Sequence, residues 1–232
     1  IEQLSQRIEV FEKKIDMLLA SKNNTKSNNI PQILLDIVEY LKSAKIKISK
    51  NIEGEGRGGS LKDEGSIKRD LMEHKVFKDF IINEAARKFG DMIVLDYDRI
   101  TRHPVNIKTS IGGTDDCFSK AGIVYAFTDI PDSDIPRAMI YKKMNELIKK
   151  HGKDIPHRDY WYLCVDKKDS SNVMVRGTKQ INCWKSNPSN VLQVNWTKEK
   201  ALPPKLHTYD EAKELIMGLV KKSLNEYWKN IP

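Results

Sequence analysis

Residues Gly90–Ser110 (GDMIVLDYDRITRHPVNIKTS) contain two apolar, β-branched runs separated by polar residues. The runs Met92–Tyr97 and Val105–Ser110 have the composition of β-strands. The short polar connection between them favours an antiparallel hairpin whose turn is centred near Arg99 or Ile100. A lone hairpin is marginally stable in water, so further strands and helices must cover its two faces.

This hairpin is expected to gather three kinds of polar group at its open end. A turn at residues 99–100 places Asp91 opposite Ile107–Thr109. Asn106 and Lys108 are two residues apart, so they project from the same face of the sheet. Carboxylate and amide oxygens bind hard cations such as Mg²⁺. A lysine beside them can position or deprotonate a water molecule, or offset charge that develops on a phosphate.

The remaining segments predict helices first, then strands, then a closing helix. Helical spacing of apolar residues, with Thr208-x-x-Glu211 as a capping box, predicts helices from Pro31, over Asp63–Phe89, over Pro136–Lys150 and from Thr208 onward. Strand composition is found at Ile46–Ser49, Tyr160–Val165, Val173–Val175 and Val191–Trp196. This order predicts an α+β fold with a mixed central β-sheet flanked by helices.

The N-terminal part of the chain is expected to lie outside this domain. Residues 1–19 carry apolar side chains at the a and d spacing of a coiled coil and predict an amphipathic helix. Residues 20–30 are polar and Asn-rich, which is typical of a linker. The helix can pair with its copy in a second subunit or pack on the domain formed by residues 31–232, and both alternatives stay open.

Composition narrows the choice of partner and compartment. Lys and Arg number 40 against 32 Asp and Glu, which gives a net charge of +8. That excess suits a polyanion such as DNA, although it can also serve solubility alone. No apolar run is long enough to span a membrane. Three widely separated cysteines argue against a disulfide framework and favour a reducing, cytoplasmic environment.

The helix, Asp91, the turn and the triplet Asn106-Ile107-Lys108 together resemble the PD-(D/E)XK nuclease superfamily, in particular type II restriction endonucleases of the EcoRV-like branch. The stretches GRGGSLKDE, TDDCFSKAG and NPSNVLQVNW look like the same enzymes. The resemblance implies a restriction-endonuclease-like core that acts as a homodimer on double-stranded DNA. It also implies Mg²⁺-dependent hydrolysis of phosphodiester bonds that leaves a 5′-phosphate and a 3′-hydroxyl.

The same resemblance assigns roles to four residues. Asp91, Asn106 and Glu64 would hold the metal, and Lys108 would orient or activate the water. The sequence departs from the family where Gly90 replaces the usual Pro and where Asn106 replaces Asp or Glu. Either another acid completes the site, or the site is naturally weakened or engineered to be inactive. The alternative acids are Asp63, Glu73, Glu84, Asp96 and Asp98.

Several polar residues beyond the hairpin are candidates for contact with DNA. They are Thr109, Ser119, Lys120, Gln193 and Asn195. Around Ser119, a loop with a helix N-cap is an equally good interpretation. Gly54-x-Gly56-x-x-Gly59 formally matches a dinucleotide-binding fingerprint, but a hairpin follows instead of a βαβ crossover. A loop near DNA phosphates and a plain surface loop are the better interpretations, and both stay open. The main alternative function is a non-catalytic DNA-binding protein on a decayed nuclease fold.

The N-terminal stripe yields a test of subunit association. If residues 1–19 form an intersubunit coiled coil, replacing Ile8 and Ile15 with Asp should weaken the dimer, because charges buried in the seam are strongly unfavourable. Sedimentation velocity measures the change. Unaltered sedimentation of a folded Ile8→Asp/Ile15→Asp variant would place the helix on its own domain.

Overall fold

The computed structural model describes residues 30–44, 46, 48, 56–83, 90–110, 115–117, 119–130, 139–155, 158–205 and 207–229. Its α-helices are α1 (Gln32–Ala44), α2 (Gly56–Glu73), α3 (Lys120–Thr128), α4 (Ile140–His151), α5 (Trp196–Lys200) and α6 (Tyr209–Lys229). Its strands are β1 (Ile81–Asn83), β2 (Met92–Leu95), β3 (Arg102–Ser110), β4 (Asp115–Cys117), β5 (Trp161–Asp166), β6 (Val173–Gly177), β7 (Trp184–Asn187) and β8 (Val191–Asn195).

A mixed five-stranded sheet with the order β1-β2-β3-β5-β6 forms the centre of the fold. The pairs β1–β2, β2–β3 and β5–β6 are antiparallel, whereas β3 and β5 are parallel. The predicted α+β class with a mixed central sheet flanked by helices is therefore confirmed. The predicted hairpin of Tyr160–Val165 with Val173–Val175 is also confirmed, as β5 and β6.

The hairpin register differs by about one residue from the prediction. Val94 pairs with His103 and Leu95 with Arg102, which centres the turn between residues 98 and 99. Arg99 has a φ of 59°, the left-handed conformation that lets the turn close so early. As a consequence, Asp91 lies opposite Asn106 and not opposite Ile107–Thr109.

One face of the central sheet packs against α1 and α2. The apolar residues predicted for the first helix, which are Ile33, Leu34, Ile37, Val38 and Leu41, are all buried there. Val105 and Ile107 of β3 face the same core, as do Ile67 and Leu71 of α2. Because side chains alternate along a strand, Asn106 and Lys108 face the opposite side of the sheet.

The second core lies on that opposite side. It joins Tyr160, Tyr162 and Cys164 to apolar residues of α3, α4 and α6. A second, three-stranded sheet with the order β4-β8-β7 packs into the same core. The chain that connects the parallel strands β3 and β5 thus supplies α3 and α4 to cover this face.

The predicted capping box opens α6, with the Thr208 N–H donating to Glu211 Oε2 at 2.9 Å and the Glu211 N–H donating to Thr208 Oγ1 at 3.3 Å.

The long helix predicted over Asp63–Phe89 is wrong at both ends. The helix begins at Gly56, inside the stretch interpreted as a glycine loop, and ends at Glu73. Beyond it, the side chain of His74 accepts the Val76 N–H, which withdraws that group from the helix. A short 3₁₀-helix and β1 follow. Ile81 is therefore buried as a residue of a strand that pairs with β2, and not as a residue of a helix.

Other predictions meet the structure in part. Ile46 and Ile48 are not in a strand, so the strand predicted over Ile46–Ser49 is wrong at its described positions. Leu215, predicted to face inward, is exposed. The helix predicted for residues 1–19 lies outside the described residues, as does most of the linker.

Among the described helices, none is long and apolar enough to span a membrane.

Two helical glycines give opposite predictions for stability. A Cβ on Gly122 of α3 would lie 2.5 Å from the Tyr160 ring, whereas a Cβ on Gly218 of α6 would meet nothing within 4 Å. Gly122→Ala should therefore lower the free energy of unfolding by about 1–3 kcal/mol through overpacking. Gly218→Ala should raise it by about 0.5–1 kcal/mol, since alanine favours the helix. Urea denaturation measures both, and equal effects of the same sign would contradict the packing of α3 on Tyr160.

Candidate functional site

The candidate site lies at the end of the β2–β3 hairpin that is opposite its turn. Beyond the last residue pair of this hairpin, helix α2 takes the place of β2 beside β3. The pairing of β2 with β3 ends at Met92 and Val105, while β5 accompanies β3 up to Ser110. Helix α2 packs against β3 and brings Glu64 and Lys68 toward this end. The described geometry therefore gathers polar side chains from a helix and two strands at one end of the hairpin.

Asp91 is fixed to β3 on both sides of Asn106. Its backbone N–H donates to the Val105 carbonyl at 3.0 Å, and its carboxylate oxygen Oδ2 accepts the Ile107 N–H at 2.7 Å. The carboxylate thus takes the place of a backbone acceptor in the ladder. Lys68 donates from its ammonium to the Asp91 carbonyl at 3.0 Å, which ties α2 to the same residue. One carboxylate oxygen is occupied in this way.

Glu64 and Lys108 form the second feature of the site. Lys108 Nζ lies 3.9 Å from Glu64 Oε1, and the two side chains are 22% and 14% exposed. This distance is at the long limit for an ion pair. Partial burial reduces solvent screening, so each charge still biases the position of the other. Two of the predicted catalytic residues, which come from elements far apart in sequence, are thereby brought together.

A buried ion pair lies next to them. Lys167 Nζ is 3.0 Å from Asp63 Oδ2, and both side chains are less than 5% exposed. The Lys167 N–H donates to the Ser110 carbonyl at 2.8 Å, so the residue continues the β3–β5 ladder by one step. Consecutive acids of α2 therefore pair with Lys108, within β3, and with Lys167, just after β5. Asp63, an alternative acid in the sequence analysis, is committed to this pair.

Tyr160, just before β5, is a site residue that the sequence analysis missed. Its ring is fully buried, and its hydroxyl is hydrogen-bonded to the side chains of Ser119 and Asn106. Burial raises the pKa of this hydroxyl well above its ordinary value, and the negative charge of Asp91 adds to the effect, while the two hydrogen bonds oppose it. Tyr160 is therefore a neutral phenol in direct contact with the amide.

The two ends of the Asn106 carboxamide have different surroundings, because its side chain is hydrogen-bonded to Tyr160 at one end only. Its oxygen Oδ1 is buried and has no hydrogen-bond partner among the described residues. A buried carbonyl without a partner is costly, and a bound water or an ion commonly satisfies such a group. No group of three or more His, Cys, Asp or Glu that could hold a metal ion occurs in the described part of the chain. A cation here would need the Asn106 carbonyl and water beside the carboxylates.

The other acids that could complete the site lie elsewhere. Asp96 and Asp98 are at the turn, about 15 Å from Asp91 by the rise of a strand. Asp98 accepts the backbone N–H groups of Ile100 and Thr101 at 2.8 Å. Burial would raise the pKa of Asp96, but hydrogen bonds from His103 and the Tyr97 backbone lower it overall. Glu73 is more than two helical turns from Glu64, and Glu84 lies outside the described residues.

The residues predicted to contact DNA fall into two groups. Ser119 is the N-cap of α3, where its hydroxyl accepts the Gly122 N–H, and Lys120 begins that helix beside the site. Thr109 is buried, and the alternation of β3 directs it to the face opposite Lys108. Asn195 caps α5 by accepting the Lys198 N–H, and Gln193 is hydrogen-bonded to Asn187. Ser119 is thus connected to Asn106 through the Tyr160 hydroxyl, and Lys120 follows Ser119 in the chain.

The chain matches no protein-family model, and no curated protein matches it.

The buried ion pair gives a stability prediction. Lys167→Met leaves the Asp63 carboxylate buried without its cation, and we expect it to lower the free energy of unfolding by about 3–5 kcal/mol. The double change Asp63→Leu/Lys167→Met should recover most of that loss, because an apolar pair needs no compensating charge. Urea denaturation of the three chains gives the values.

A matched control uses an exposed pair of the same chemistry. Lys42 lies 2.7 Å from Glu39 on the surface of α1, and Lys42→Met should change stability by less than about 1 kcal/mol. Similar losses for Lys42→Met and Lys167→Met would show that the Asp63 pair does not hold α2 in place.

Proposed function

We propose that this protein is a Mg²⁺-dependent endonuclease of double-stranded DNA, of the type II restriction kind. The observation that carries the proposal is the placement of Asp91, Asn106 and Lys108 on one face at the open end of the hairpin, with Glu64 reaching Lys108 from α2. This is the juxtaposition that the resemblance to PD-(D/E)XK nucleases implies. It unites an acid, an amide and a lysine at one end of the hairpin.

The residues present fit a hard divalent cation. The available atoms are carboxylate and amide oxygens, which Mg²⁺ prefers over nitrogen or sulfur. The buried, unpartnered Oδ1 of Asn106 is the strongest indication, since a cation would satisfy it. Asp91, Asn106 and Glu64 would hold the ion. When bound, Mg²⁺ would supply charge stabilisation for the phosphoryl group and a lower pKa for water.

The protein's own residues account for positioning and proton handling. Lys108 is partly exposed, so its ammonium can reach a phosphate at the edge of the site while Glu64 orients it. There it can offset the negative charge that grows on the phosphate oxygens as a water attacks phosphorus and the bond to the 3′-oxygen breaks. Lys68 is bonded to the Asp91 carbonyl and keeps α2 close to the strand.

The charge of the chain supports a DNA substrate. The net charge of +8 favours a polyanion, and Lys108 and Lys120 are partly exposed. Recognition of a palindromic sequence implies a homodimer, because a two-fold DNA site requires a two-fold protein. Base specificity would come from side chains that enter a groove.

A second function has a specific observation in its favour. Asn106 supplies no negative charge where related enzymes have an acid, and Glu64 shares its carboxylate with Lys108. A site with so little charge could retain DNA and no longer cleave it. Such a binding protein would hold duplex DNA with an affinity that falls steeply as salt rises, because each neutralised phosphate releases counterions, and it would leave plasmid DNA intact in Mg²⁺.

The cleavage proposal is tested by three substitutions. Lys108→Ala should abolish cleavage of plasmid DNA in Mg²⁺ while leaving most of the DNA affinity, because one lysine is a small part of a polyanion interface. Asp91→Ala should abolish cleavage and weaken Mg²⁺ binding, since it removes a charged oxygen ligand. Asn106→Asp should strengthen Mg²⁺ binding, because it adds a carboxylate beside Asp91. Gel analysis, end sequencing and calorimetric titration with Mg²⁺ provide the measurements.

Lys42→Ala serves as the control, because Lys42 lies on α1, across the sheet from the site. It should cleave like the unsubstituted chain. Undiminished cleavage by both Lys108→Ala and Asp91→Ala would remove this site from consideration. Plasmid left intact by the unsubstituted chain, together with salt-dependent binding, would favour the non-catalytic function.

A further inference from the structure

The Asn106 side chain has a chemically decisive orientation. A carboxamide has an oxygen that only accepts hydrogen bonds and an NH₂ group that only donates them. The two ends have nearly the same shape, so their neighbours decide which one faces a ligand. At a cation site this choice matters, because the oxygen attracts the ion and the NH₂ group repels it.

Two observations identify which end meets Tyr160. The Asn106 side chain is hydrogen-bonded to the Tyr160 hydroxyl. The Oδ1 atom has no hydrogen-bond partner among the described residues. The bonded atom is therefore Nδ2, which donates to the tyrosine oxygen. Rotating the amide by half a turn would withdraw that donor from the phenol and place NH₂ where a cation would bind.

We propose that Tyr160 is a positioning residue that holds the Asn106 carboxamide with its carbonyl oxygen presented to a divalent cation. The inference rests on the proposed function, since it assigns the orientation of one ligand of that site. It gives a neutral residue a defined use where related enzymes have an acid. A carboxylate has two equivalent oxygens and needs no such orientation, whereas an amide does.

The surroundings of Tyr160 are suited to holding it still. Its ring packs against α3 at Gly122, where any side chain would collide with it. Ser119, the N-cap of the same helix, is hydrogen-bonded to its hydroxyl. Gly90 also lies close, since a Cβ there would be 3.7 Å from that hydroxyl and 3.1 Å from the Val105 carbonyl. The hydroxyl is thus enclosed by the segment that precedes Asp91 and by the start of α3.

The test measures cation binding directly, with Mn²⁺ as the probe, by electron paramagnetic resonance or calorimetry on the full chain. Tyr160→Phe keeps the ring and removes only the hydroxyl. Loss of a group that orients a metal ligand typically costs about 10–100-fold in affinity, so we expect Mn²⁺ to bind at least about tenfold more weakly. Circular dichroism and thermal unfolding establish that the variant is folded.

Tyr162→Phe is the matched control. Tyr162 is two residues along on the same face and is equally buried. It should bind Mn²⁺ like the unsubstituted chain. A general loss of core packing would weaken binding in both variants, whereas a positioning role affects only Tyr160→Phe.

The decisive comparison is made in the Asn106→Asp background. Because either oxygen of a carboxylate can face the ion, Tyr160→Phe should then change Mn²⁺ affinity by less than about threefold, a strong non-additivity between the two positions. Equal losses in both backgrounds, or no loss in either, would overturn the positioning role while leaving the nuclease proposal standing. Failure of the unsubstituted chain to bind Mn²⁺ at all would overturn both.

Discussion

The parallel pairing of β3 with β5 is the constraint on which the rest of the structure depends. Parallel strands cannot be joined by a tight turn, so the chain between them must cross over the sheet. Here the crossover contains β4, α3 and α4, and it covers one face of the sheet. The pairing also sets Asn106 beside Tyr162 and Lys108 beside Cys164. The polar residues of β3 are consequently surrounded by a core that the crossover creates.

The same constraint explains why the site lies at an edge and not within the sheet. Pairing with β2 stops at Val105, so the last residues of β3 have only β5 as a described strand neighbour. Helix α2 fills the remaining side through Lys68, the Asp63–Lys167 pair and the Glu64–Lys108 pair. Charges can be held there because each has a partner and the edge still admits water. An apolar strand in the place of α2 would have paired with the last residues of β3 and buried the site.

The sequence predicted those features that depend on local pattern. The two strands of the hairpin, the shared face of Asn106 and Lys108 and the capping box of α6 all follow from alternation or spacing, and all are confirmed. The face of Thr109 could also have been predicted, because it alternates with Lys108. The one-residue register shift could not, since it depends on the left-handed Arg99. The early end of α2 depends on β1 pairing with β2, a tertiary demand that outweighs helical periodicity.

Tyr160 escaped prediction for a different reason. In the run Tyr160–Val165 a tyrosine is indistinguishable from its apolar neighbours, and its importance arises only when the crossover brings Ser119 and Gly122 to it.

The hydrogen bond between Tyr160 and Asn106 bears on the question of why an amide stands at position 106. The Nδ2 end of the Asn106 amide is engaged, and Oδ1 is left buried without a partner among the described residues. An unsatisfied buried carbonyl costs about 1–3 kcal/mol, and a cation that binds it would recover that cost. If the proposed cation binds here, Asn106 is a neutral ligand whose orientation Tyr160 sets and whose missing charge Asp91 supplies.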